Sequence, residues 1–169
     1  MVLHSFQGQL ARVESTDWQQ PPGVGKWSPA TLAVHVCRSY ELGRDAMSGA
    51  PSMQLQVPPL RAWLSRTLLL PLLLVTRRFP RGAEAPAEVI PDPAEARGLT
   101  PTAAALRLER AAEGAVTALR RAAREPAPPH VTHAYFGPLR PYVALRLLSA
   151  HTRHHTLGLS RLAKHRRAG

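Results

Sequence analysis

Cysteine is nearly absent from this 169-residue chain, with Cys37 standing alone. A lone thiol excludes an internal disulfide, and without CxxC pairs there is no thiolate zinc knuckle, so an intracellular protein is expected. Acidic residues are also scarce, 11 against 22 Lys and Arg, giving a formal net charge of +11, and none follows Glu125. Aromatics amount to 5% of the residues. Few are interleaved with the basic positions and no helix-turn-helix or RNA-binding signature is present, so the basic excess reads as a solvated face. The alternative raised by the charge is a non-enzymatic basic module that docks its last helix on nucleic acid or an acidic partner, with structural histidines. Long apolar runs are missing too. The longest, Leu68 to Val75, is broken by Pro71 and flanked by Arg66 and Arg77-Arg78, whereas a membrane span needs about 20 residues. It is expected to form a buried helix, in preference to one lying on a membrane surface, with Pro71 kinking or ending a turn. The opening residues carry Gln7, Gly8, Gln9 and Arg12 where a secretory leader has its apolar core, so the expected location is the cytoplasm without membrane insertion.

What is present is helix-forming. With 44% hydrophobic residues, the chain can bury one sizeable core, and residues 1–169 are expected to be one domain with a basic tail at about 163–169. Almost nothing reads as a strand. An amphipathic opening, Val2 to Ser15, precedes a loop around Pro21-Pro22-Gly23 and Gly25. Ser28 then caps a helix that has Pro29 at its first position and Trp27 and Leu32 at the two staple positions, and this helix runs to about Met47. A third helical stretch covers about Leu60 to Arg77. From Pro80 to Leu99 the chain is rich in proline and in small and acidic residues, which suggests a long loop serving as a covering flap. Thr100-Pro101 caps a helix reaching about Arg124, where Pro126, Pro128 and Pro129 stop it. His130 to Leu139 is a turn-rich connector, and Pro141 opens a last helix to about His165.

That last helix carries His151-Thr-Arg-His154-His155. Turning it at about 100° per residue with Leu145 at zero puts His155 at about 280° and His151 at about 240°, on the apolar side with Ala144, Leu148, Leu159 and Leu162. His154 falls at about 180°, on the boundary with the arginine face. Imidazoles at i and i+4 project from one side at a separation that a single metal ion bridges. On the Ser28 helix, His35 lies on the apolar flank, while Arg38, Glu41 and Asp45 share the opposite face. Cys37 points away from His35 and is expected to be a buried small hydrophobe. His130 and His133 are expected to be exposed loop imidazoles, and Tyr135 and Tyr142 to serve packing.

Two motifs resemble the DinB/YfiT-like superfamily of bacterial helical bundles. Lys26-Trp27-Ser28-Pro29, leading to His35, is similar to that family's helix start before a metal-binding histidine, and His151-Thr-Arg-His154-His155 is similar to its HxxHH stretch. His133-Ala-Tyr-Phe136-Gly137-Pro-Leu139 resembles the turn of one branch. The resemblance implies an all-α fold, an up-down-down-up four-helix bundle with an extra short helix and the long proline-rich loop. It implies that His35, His151 and His155 hold one divalent metal, zinc or nickel. It also implies a metal-dependent enzyme acting on a small molecule, with thiol-dependent transfer leading and hydrolysis behind it, and a low-molecular-weight thiol as nucleophile. His154 is the candidate for proton transfer, with His133 beside it. A homodimer through Leu68 to Val75 fits the same resemblance. A glutamine that commonly follows the histidine pair is replaced by Leu157 and Gly158, which puts the outer support of His155 in doubt.

Overall fold

The computed structural model describes residues 2–77, 79 and 84–167, with side chains through residue 160. The chain is mostly helical, as expected. Its helices are α1 (Val2–Leu10), α2 (Ser15–Trp18), α3 (Pro29–Met47), α4 (Pro59–Leu64), α5 (Leu70–Thr76), α6 (Pro93–Arg97), α7 (Pro101–Ala122) and α8 (Pro141–Arg167). Two short strands, β1 (Val131–His133) and β2 (Gly137–Leu139), form an antiparallel hairpin within the expected connector. Gly137 makes its turn possible with φ of 67°, where an L side chain would be strained.

Local chemistry sets the helix starts. Ser28 accepts a hydrogen bond from the Thr31 amide and Thr100 one from the Ala103 amide, each with proline following in the first turn. The central element is α3, which packs on α7 and also touches α8, α6 and β1, while α1 packs on α8 and α7. Gly43 lets α3 approach α8 closely, because a Cβ there would lie 2.9 Å from the Leu148 side chain. Its polar side is closed by a network: Arg107 clamps both carboxylate oxygens of Glu41 at 2.8 Å and also binds Glu95, which pairs with Arg38 at 2.9 Å.

Three expectations change. The Leu68 to Val75 run is not buried; Leu70 and Leu73 face the core, but Leu68, Leu72 and Val75 are exposed, since among the described residues only one side of α5 is covered. Before Pro71 the helix passes through a π turn, Ser65–Leu69, in which the Leu70 amide reaches the Ser65 carbonyl. Wider pairing there accommodates the donor that proline lacks. The proline-rich segment is also more ordered than a loop: a 3₁₀ turn, Ala87–Val89, and α6, capped by Asp92 on the Ala94 amide, tie it to α3. Its first residues, 80–83, lie outside the described residues. The expected basic tail continues α8 to Arg167, its side chains outside the described residues.

Candidate metal centre

Helix α3 supplies His35 and α8 supplies His151 and His155, and the three rings meet. The Nε2 of His35 lies 3.1 Å from that of His151, which lies 2.9 Å from that of His155. One nitrogen from each residue falls within 4.8 Å of the others. Two nitrogens bound at 2.0–2.1 Å to a tetrahedral zinc sit about 3.3 Å apart, close to the spacing of His151 from each of its two neighbours.

The hydrogen-bond arithmetic points the same way. The Nδ1 of His35 is 2.8 Å from the Val89 carbonyl oxygen, which can only accept, so Nδ1 carries the hydrogen and Nε2 presents a lone pair. A single hydrogen on the Nε2 of His151 then has to serve His35 and His155 at once. If His155 donates instead, the His35 and His151 lone pairs oppose each other at 3.1 Å. A cation in their midst uses all three lone pairs, and the bond from Nδ1 to a backbone carbonyl is the outer support that metal-bound histidines usually have.

Burial keeps these rings neutral. It pulls the His35 pKa down, opposed by the Val89 carbonyl, and lowers His155 to about 3. His151 is held well below the ordinary imidazole range by burial first and then by His155 and His35 beside it. Neutral imidazole is the ligating form, so protons do not compete for the site near pH 7.

The trio forms part of the wall of a largely apolar cavity of about 370 Å³, within the ~300–1,000 Å³ range of small-molecule sites. Leu69, Leu73, Phe136 and Leu147 make apolar walls, and Ser39, Ser52, Ser65 and Thr132 supply hydroxyls. Trp27 packs its ring 4.8 Å from that of His35, a role beyond the expected helix staple. Phe79 lies 5.7 Å from the ring of His151 and 5.5 Å from that of His154.

The remaining sequence candidates divide. His154 is exposed, as its boundary position suggested, with its ring 5.2 Å from that of His155. His130 is exposed as expected, but His133 is not: β1 turns it toward the cavity, burial lowers it to about 4, and its Nδ1 accepts the Tyr135 amide. Tyr135 donates its hydroxyl to the Glu84 carbonyl, pinning the proline-rich segment across the cavity, while Tyr142 is exposed. Cys37 is buried with its thiol pushed up to about 12, an inert core residue. Glu41 and Asp45 stay with their arginines, away from the trio. Leu157 and Gly158 are exposed.

Sequence reasoning missed the support beneath the trio. Thr152, fully buried, donates to the Leu148 carbonyl at 2.9 Å and contacts the hydroxyl of buried Tyr40 at 3.2 Å, locking the turn between His151 and His155 onto α3. Thr152 lay within the histidine motif, but its fully buried environment depends on Tyr40 of a helix distant in sequence. Val89 gave no signal, since it acts through its carbonyl. Comparison with protein-family models, with curated proteins and with solved structures gives no match.

Proposed function

We propose that the protein is a metal-dependent enzyme whose three imidazoles, His35, His151 and His155, hold one divalent ion, zinc or nickel, at the wall of a small-molecule cavity. The observation that carries this reading is the convergence of three neutral ring nitrogens that one shared hydrogen cannot satisfy. An ion held by three imidazoles keeps a coordination position open and makes a water or a thiol entering it more acidic, to about pH 7 for water. Thiol-dependent transfer is the leading reaction class and hydrolysis the second, following the resemblance to DinB/YfiT-like proteins. That resemblance also supports reading α1, α3, α7 and α8 as the four helices of an up-down-down-up bundle.

In this reading the chain's own groups have distinct tasks. Val89 orients His35, Thr152 and Tyr40 fix the pitch of the α8 pair, and the leucine-rich walls exclude water from a small, partly apolar substrate. His154 is the proton-transfer group. The test is elemental analysis of the purified protein: about one equivalent of zinc or nickel is expected, and none in His155→Ala. Absence of metal from the native protein, even after incubation with either ion, overturns the proposal.

A further inference from the structure

We propose that the outer face of the helix running through α4, the π turn and α5 docks the protein on an anionic lipid bilayer. Leu60, Leu64, Leu68 and Leu72 recur every fourth residue and all are exposed, at 69%, 42%, 69% and 59%. Trp63 and Val75 are exposed beside them. A strict four-residue repeat drifts by about 40° per step around an α-helix, so a straight one would carry some of these leucines off the face. The π turn takes one more residue than an α turn and sets the helix back by roughly one residue's rotation, which brings Leu68 and Leu72 into line with Leu60 and Leu64. Ala62, Leu70 and Leu73 fall on the opposite side and are buried. The helix therefore has two apolar faces, one buried against the core and a second, formed by the leucine row, turned outward.

Charge decides what covers that face. Arg61 on the helix and Arg77 just past its end are exposed, and Arg66, Arg140 and Arg146 line a cleft together with Val75. No Asp or Glu occurs between Asp45 and Glu84, nor after Glu125. A second copy meeting this face about a two-fold axis brings the same arginines together, with no carboxylate from either segment to pair with them. Anionic headgroups pair with those arginines, while the leucines and the Trp63 indole enter the acyl boundary, the arrangement of helices that lie in a membrane interface. No described helix is long and apolar enough to cross a membrane, so the contact is with the surface alone.

Co-sedimentation of the full chain tests this, using vesicles of equal parts phosphatidylcholine and phosphatidylglycerol beside vesicles of phosphatidylcholine alone. The native protein should pellet with the mixed vesicles and stay in solution with the neutral ones. The double variant Leu68→Glu, Leu72→Glu should bind about tenfold more weakly or worse, with an unchanged thermal melt because both positions are exposed. Failure to bind mixed vesicles overturns the proposal, as does binding that the double variant leaves intact. A dimer seen by sedimentation velocity, abolished in the double variant and unaccompanied by vesicle binding, assigns the face to a second copy instead.

Discussion

The Nδ1 of His35 donates to the carbonyl oxygen of Val89 across 2.8 Å, joining the middle of α3 to the 3₁₀ turn of the proline-rich segment. This contact decides which nitrogen of His35 faces the cavity. In nitrogen-correlated NMR spectra of the metal-free protein near pH 7.5, His35 should show hydrogen on Nδ1 and a bare Nε2. The opposite tautomer would remove the geometric basis for the three-imidazole site.

Metal binding should stabilise the fold through mass action. At a free zinc concentration about a hundred times the dissociation constant, stabilisation is about 2.7 kcal/mol. Native protein and His154→Ala should both melt at higher temperature with zinc, whereas His35→Ala, His151→Ala and His155→Ala should not. Scanning calorimetry with and without a chelator reads the difference. An equal rise in all five proteins would place the ion elsewhere.

Stability should fall as the pH is lowered below neutrality. His133 titrates at about 4 and His155 at about 3 in the folded protein, against about 6.5 once unfolded. The unfolded chain thus binds more protons between those values, and stability is lost progressively as pH drops from about 6.5 to about 4 for His133 and on to about 3 for His155, with no loss from these groups above that range. Urea midpoints across pH 8 to 4 should show the decline, and His133→Asn should flatten it. A native curve without slope below pH 6.5 contradicts the burial assigned to these rings.

Arg107 joins α7 to α3 and α6 through Glu41 and Glu95, all three side chains being about a quarter exposed. Arg107→Ala should cost about 1–2 kcal/mol, discounted for partial solvent screening. In a double-mutant cycle with Glu95→Gln the two losses should fall short of additivity by about 0.5 kcal/mol or more. Strict additivity would mean that the Arg107–Glu95 contact contributes nothing.

Where the sequence was legible, the reason was local. Ser28-Pro29 and Thr100-Pro101 announce their helices because capping involves residues three positions apart. The facing of His151 and His155 was readable because helical geometry alone sets it. The burial of His133 was not readable, since it depends on where the hairpin folds back, and neither was the exposure of Leu68 and Leu72. A run of leucines reads as core, and whether a neighbour covers it is settled by elements far along the chain.

Thus the sequence by itself determined the helical character, the cap positions, the pairing of two histidines one turn apart and the excess of positive charge, all properties of single segments. That His35 joins the pair was implied by the family resemblance and is shown by its contact across 116 positions, whereas the tertiary structure alone decided that Val89 orients it and that the leucine face points outward. Such contacts are long-range: each depends on how α3, α8 and the proline-rich segment share one core, and no spacing within a segment encodes that.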